Sequence, residues 1–344
     1  MSDQINVLYL LNHAGGGGSE RYIESLIAGL GERIRPFFAF SEPGKLSAKL
    51  RDAGIPCFRL VMKSPFDFGA ARRLASICKE HKIDVVHTHF LRENAIAVWA
   101  KPLCGARVIN TVHMQTPKTG LALRLNRFIG RFCVNIAVSG AVLSNLKREC
   151  AGKTRLIYNG VEMPVTRQSS DVLQPERCVV LSVGRFSPEK GMNVLVKAAA
   201  RLPELSFTLA GDGETLAECK TLATENVTFV GYVDDTEPLY RSADIYVCPS
   251  FEEALGLSVL EAMSYGLPAV VTDVGGLPEV ADESCGIIVP PNDEFSLAAA
   301  IRRLAESAEL RKTFGTNARE KIKNKFRLQV MAEQMFELYT EVLQ

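Results

Sequence analysis

Two doubly wound α/β domains are predicted for this 344-residue chain, on three observations. The length is about twice that of a usual ~150-residue domain. Short apolar, β-branched runs alternate throughout with longer amphipathic ones, the pattern of repeated βαβ units. Several of the short runs are continuously apolar, as at Val85-Val86 and Val108-Ile109, which fits parallel strands covered on both faces.

In the first half the pattern predicts strands at Ile5–Leu11, Pro36–Phe40, Cys57–Leu60, Asp84–His87, Arg107–Thr111, Val134–Val138 and Arg155–Tyr158. Helices are expected between them near 19–31, 67–82, 91–103, 118–132 and 140–150. The segment Met163-Pro164-Val165-Thr166-Arg167-Gln168-Ser169-Ser170 interrupts the pattern and reads as a boundary. The expected organisation is therefore a first domain over 1–165, a second over 166–325, and a last helix over 326–344. The second domain predicts strands near 178–183, 205–210, 227–230, 244–248, 269–272 and 286–289, with helices near 191–201, 214–224, 257–265 and 294–306. In open parallel sheets ligands bind beyond the carboxyl ends of the strands, so the loops after each strand carry the candidate chemistry.

Composition narrows the setting. The chain is 47% hydrophobic and 23% charged, and no apolar run approaches the ~20 residues a bilayer span needs. The opening MSDQINVLYLLNHAGGGG reads as a first strand rather than a leader, because no Lys or Arg precedes its apolar stretch. Nine scattered cysteines without a Cys-x-x-Cys pair argue against a disulfide framework and a zinc site, and predict a cytoplasmic, reducing setting. The net charge of +1 hides an asymmetry. Residues 1–165 carry 23 basic and 12 acidic residues, a balance of +11, while residues 166–344 carry 17 and 27, a balance of −10. The first half is thereby expected to meet something anionic, such as a phospholipid surface or a lipid-linked phosphate. Nothing points to a nucleic-acid partner.

Three loops stand out. After the first strand comes Gly15-Gly16-Gly17-Gly18-Ser19-Glu20, followed by an amphipathic helix. Glycines let backbone amides approach a ligand, and a helix start favours phosphate. A dinucleotide-binding dehydrogenase is the rival here, weakened by the missing Gly-x-Gly-x-x-Gly spacing and by Phe40-Ser41, where a ribose-binding carboxylate would be expected. After the first strand of the second domain comes Gly184-Arg185-Phe186-Ser187-Pro188-Glu189-Lys190-Gly191, with Lys190 expected to open a helix. Arg185 and Lys190 are placed to meet a diphosphate, one as a fork and one as a point charge. The third loop begins at Pro249. Glu253 precedes a helix that contains Glu261, and eight residues of helix span about 12 Å. One helix start can thus read a sugar at Glu253, phosphates at the amides of Gly256, Leu257 and Ser258, and a ribose at Glu261.

The segment PSFEEALGLSVLEAMSYGLPAVVTDVGGLPE, together with GRFSPEKG, AGDGE, VGYV and IYNGVE, resembles the retaining GT-B glycosyltransferases of family 4, over both domains and the last helix. The resemblance implies two Rossmann-like domains facing across a cleft, with the last helix crossing back to the first. It implies sugar transfer from a nucleotide-diphosphate sugar, taken to be a UDP-sugar, to a hydroxyl of a glycan or lipid-linked acceptor in cell-surface polysaccharide or lipopolysaccharide synthesis. On this likeness Arg185 and Lys190 hold the diphosphate, Glu253 and Glu261 the sugar and ribose, and Gly231-Tyr232 the base. Gly184, Gly211 and Ala254 line the same donor site, and Gly16 and Gly17 close over the phosphates. His113, in Asn110-Thr111-Val112-His113, matches the family's Thr-x-His and would sit beside the transferred sugar. The family works without a metal or other cofactor, and His87-Thr88-His89 and Asp234-Asp235 lack the spacing of a metal site. The chain departs from many relatives at Leu255, where an aromatic is common, and at Ala254, where glycine or another small residue is.

Arg124, Arg127 and Arg131 fall on one face of the helix near 118–132, beside Leu and Phe, and predict peripheral contact with an anionic membrane surface. Two further alternatives are a nucleotide-sugar epimerase on the same fold, which would not need the Glu253/Glu261 pair, and a non-catalytic scaffold. A scaffold is expected to lack one of Arg185, Lys190 or Glu253.

Overall fold

The computed structural model describes residues 4–15, 17–113, 120–149, 152–164 and 178–344. The chain divides into two compact units, Met1–Gly160 with Leu328–Gln344, and Val161–Arg327. The boundary expected between residues 165 and 166 lies outside the described residues; the units part at Gly160/Val161 and again at Arg327/Leu328.

The first unit runs β1 (Ile5–His13), α1 (Gly18–Leu30), β2 (Ile34–Glu42), α2 (Lys45–Asp52), β3 (Cys57–Arg59), α3 (Phe68–Glu80), β4 (Val85–Thr88), α4 (Leu91–Cys104), β5 (Arg107–Val112), α5 (Gly120–Ile129), β6 (Val134–Ala137), α6 (Gly140–Glu149) and β7 (Lys153–Leu156). Its sheet has the order β3-β2-β1-β4-β5-β6-β7 and every pairing is parallel. The pleat sorts the apolar residues of β1 between two cores. Val7, Tyr9 and Leu11 pack with Ile23 and Leu26 of α1, whereas Leu8 and Leu10 pack with Leu74 of α3 and Ile96 of α4.

The second unit runs β8 (Val179–Val183), α7 (Met192–Ala199), β9 (Ser206–Ala210), α8 (Leu216–Leu222), β10 (Val227–Gly231), α9 (Glu237–Ser242), β11 (Ile245–Cys248), α10 (Leu257–Ser264), β12 (Ala269–Thr272), α11 (Leu277–Val280), β13 (Gly286–Val289), α12 (Glu294–Ala305) and α13 (Ala308–Lys325). Its sheet is also all parallel, in the order β10-β9-β8-β11-β12-β13. In each sheet the strand order reverses beside the first strand, between β1 and β4 and between β8 and β11. Those reversals open crevices at the carboxyl ends of the strands, where doubly wound folds bind ligands.

The last helix, α14 (Leu328–Leu343), completes the core of the first unit: Met331, Met335, Leu338 and Tyr339 are buried with Leu26 of α1. Gly29 of α1 is the contact point, since a Cβ there would crowd Leu328 and Ala332. Helices α2, α9, α11 and α13 are absent from the sequence-based reading. In α13 the cause is visible: only Gly315, Ala318 and Ile322 are buried, too narrow an apolar stripe to register as periodicity. Gly315 lets α13 reach the loop after α10, where a side chain would run into the Gly266 carbonyl.

Candidate functional site

In the second unit the loops after β8 and β11 flank the reversal and are stitched together. Phe251 N donates to the Glu189 carbonyl at 2.7 Å and Glu252 N to the same oxygen at 3.3 Å. Gly191 makes the approach possible, with φ +62° and no room for a Cβ against the Pro249 carbonyl. Lys190 does not open a helix; it ends a 3₁₀ turn, Pro188–Lys190, and α7 starts at Met192. The turn aims its side chain across the seam. Lys190 Nζ donates to Glu253 Oε2 at 2.6 Å, with both side chains largely buried. Burial alone would lower the Lys190 ammonium, but the Glu253 carboxylate outweighs it and holds the pKa above the usual lysine value. Arg185, expected to work beside Lys190, is exposed to solvent.

Glu253 is fixed from behind as well. Gly276 N donates to its carbonyl at 3.3 Å, and Gly275, at φ +53°, leaves no space for a side chain against that same carbonyl. Three residues on, Gly256 starts α10 with φ +94° and no side chain caps the helix. Its first amides, from Leu257 and Ser258, are therefore open to an external acceptor. Ala254 is half-buried, and Leu255, where many relatives carry an aromatic, is a buried core residue. Glu261, one turn into α10, accepts from the Tyr240 hydroxyl at 2.8 Å. Tyr240 escaped the sequence reading because a lone tyrosine in a short helix carries no motif.

The other expected residues sit at strand ends of the same sheet. Gly184 follows β8 and Gly211 follows β9. Their loops are joined through Gly184 N to the Ala210 carbonyl, 3.0 Å, and Gly211 N to the Gly231 carbonyl, 2.7 Å. Gly211 has φ +137° and no space for a side chain against the Gly184 carbonyl. Gly231 ends β10 at φ +72°, and Tyr232 beside it is half exposed.

In the first unit, Gly16 lies outside the described residues. Gly17 caps α1, and Ser19, inside the first turn, donates to Glu20 at 2.8 Å. His113 follows β5 and belongs to a stack of three imidazoles. His87 and His89 lie 4.8 Å apart between centroids, and His89 and His113 5.2 Å. His87 is tied at Nδ1 to the Tyr339 hydroxyl and at Nε2 to Thr111 Oγ1, both at 2.7 Å. His89 Nδ1 lies 3.0 Å from His113 Nε2. Burial pushes His87 down to about 3 and His113 down to about 4, and lowers His89 well below the usual imidazole value. All three are neutral at pH 7. Among the described residues no group of three or more His, Cys, Asp or Glu is placed to hold a metal ion.

Residues 166–321 match the family described as glycosyl transferases group 1, and residues 16–163 match glycosyltransferase family 4. The chain is 26% identical over 307 residues to N-acetyl-alpha-D-glucosaminyl L-malate synthase of Bacillus anthracis, covering 81% of this chain and 80% of that protein. It is 30% identical over 226 residues to the lipopolysaccharide core biosynthesis glycosyltransferase LpsE of Rhizobium meliloti, 62% of this chain and 66% of LpsE. The crystal structure of Anabaena HepE in complex with UDP and glucose superposes with a TM-score of 0.88 at 20% identity, over 98% of this chain and 100% of HepE. That last likeness establishes the two-domain GT-B fold.

Proposed function

The chain belongs to the group 1, family 4 glycosyltransferases, and from that premise we propose that it moves a hexosyl group from a UDP-sugar to a hydroxyl of a glycan or lipid-linked acceptor. In this reading the anomeric configuration is retained, no metal is used, and the product is a cell-surface polysaccharide or lipopolysaccharide. The likeness to HepE, crystallised with UDP and glucose, and to LpsE, of lipopolysaccharide core biosynthesis, supports the donor and the pathway class. The observation that carries the donor site is the Lys190–Glu253 pair beside the uncapped start of α10.

The chemistry follows from that arrangement. The anomeric C–O bond breaks with its electron pair passing to the diphosphate, while the acceptor oxygen bonds to the anomeric carbon from the same face. The acceptor proton leaves on a phosphate oxygen. Negative charge grows on the diphosphate, and Lys190, Arg185 and the α10 amides stabilise it there. As Lys190 turns to the phosphate, Glu253 is released to accept from sugar hydroxyls, with Glu261 at the ribose. His113 stands beside the transferred sugar as a neutral hydrogen-bonding group. A panel of UDP-, GDP- and ADP-sugars tests the reading by thermal shift and by donor hydrolysis. A UDP-sugar is expected to raise Tm and to release UDP in the presence of chelator; stabilisation by none of them would end the proposal.

The acceptor side is assigned to a membrane face. Arg124, Arg127 and Arg131 are exposed and make no ion pair among the described residues. Leu121 beside them is 74% exposed, Phe128 45% and Phe132 43%. Phe68, Trp99, Phe128 and Phe132 run as a ladder with centroid spacings of 5.7, 6.2 and 5.3 Å. Arginines attract anionic headgroups and the rings enter the interface. The protein is expected to sediment with phosphatidylglycerol vesicles at low salt and to be released at high salt. At about 1 kcal/mol per arginine, R124Q/R127Q/R131Q should partition roughly 100-fold more weakly. Salt-independent binding, or none, would remove the membrane assignment.

A further inference from the structure

We infer that His89 is a positioning residue for His113, fixing which of its ring nitrogens carries the proton and which is left for a ligand. The inference rests on the proposed place of His113 beside the transferred sugar. His89 follows β4 and is 2% exposed. Its Nδ1 meets His113 Nε2 at 3.0 Å, while its own Nε2 is buried without a hydrogen-bond partner among the described residues. Tyr22 meets both rings edge-on, at centroid distances of 5.7 Å for His89 and 4.8 Å for His113, so neither imidazole turns freely.

Two neutral imidazoles joined by one N···N bond share a single proton, and their tautomers are therefore coupled. If His113 supplied that proton from Nε2, His89 would carry its own on Nε2, where it would be a buried N–H with nothing to bond. If His89 supplies it from Nδ1, the unpartnered Nε2 is a bare lone pair. Orphaned buried N–H groups are the rarer defect, so the proton is placed on His89 Nδ1. His113 Nε2 is then the acceptor, and its proton sits on Nδ1, which makes no hydrogen bond among the described residues. His113 accordingly meets its ligand as a donor, suited to a sugar hydroxyl or ring oxygen and unable to act there as a base.

The test is long-range proton–nitrogen correlation NMR on ring-¹⁵N-histidine protein, which has only five histidines to assign. Wild-type His113 is expected to show a bare Nε2 and a protonated Nδ1. His89→Leu should return it to the Nε2-protonated form that a free neutral histidine prefers. His89→Asn, whose side-chain amide occupies nearly the place of Nδ1–H, should keep the wild-type pattern. UDP release from UDP-glucose should follow, falling about 10- to 100-fold in His89→Leu and staying within roughly 3-fold in His89→Asn. A Nε2-protonated His113 in the wild type, or the same pattern in all three proteins, overturns the inference whatever the rates. If the NMR result is as expected but His113→Ala retains wild-type activity, the positioning geometry stands and the placement of His113 at the sugar fails.

Discussion

Lys190→Ala is expected to lower kcat/KM for the donor by about 10²–10³-fold, the effect of removing one preorganised charge-stabilising donor. The same change strands the Glu253 carboxylate, which is now paired at 2.6 Å, and an unpartnered, largely buried charge costs about 1–3 kcal/mol. Stability and catalysis are thereby confounded in the single variant. The double variant K190A/E253Q separates them, because a neutral amide needs no cation: Tm should recover while the rate does not. Thermal melts and steady-state kinetics on the three proteins decide the matter. Donor-induced stabilisation surviving intact in Lys190→Ala would contradict the role given to this residue.

Gly275→Ala is the second large effect. Gly275 has φ +53°, and a Cβ there would land on the Glu253 carbonyl. Gly105 supplies a control, since it follows α4 in the left-handed region at φ +80° and nothing lies within 4 Å of its would-be Cβ. The left-handed backbone alone costs a non-glycine residue about 1–2 kcal/mol, so Gly105→Ala should lose about that and keep its activity. Gly275→Ala should lose about 3 kcal/mol, because the Glu253 backbone must also move. A displacement of about 1 Å at a reacting centre is worth roughly 100-fold in rate. Denaturant titrations and donor hydrolysis check both; equal losses at the two glycines would show that the backbone contact with Glu253 does no work.

Much of this architecture is legible in the sequence because parallel strands are buried on both faces and advertise themselves as apolar runs. The loops at the second reversal are legible for a related reason. Gly191 and Gly256 are demanded by a close backbone approach or positive φ, so these two glycines outline the Lys190 and Glu253 loops in the sequence itself. What the sequence hides is coupling across distance. Glu261 is visible as one carboxylate of a spaced pair, but its bond to Tyr240, 21 residues away, leaves no local pattern. His87 and His89 look like the end of a strand, and only parallel pairing with β5, His87 opposite Ile109, brings His113 to the same stack. Lys190 was expected to face a phosphate, and its present partner could not be known without the seam between the loops. Helix α13 was missed because its burial rests on three small contacts rather than on a stripe.

The bond between Tyr9 and Tyr339, hydroxyl to hydroxyl at 3.4 Å across 330 positions, has a bearing on how the protein is made. The first unit's sheet can assemble as it leaves the ribosome, yet the side of that sheet carrying Tyr9 and His87 is only partly covered, by α1, until α14 emerges. At about 5–20 residues per second, the intervening segment takes on the order of ten seconds or more to synthesise. During that interval Tyr9, Leu26 and His87 lack the Met331, Met335, Leu338 and Tyr339 side chains that complete their core. Folding of the first unit is therefore tied to translation of the second, and a nascent chain stalled before Leu328 should be held by hydrophobic-binding chaperones even though its seven strands are all present.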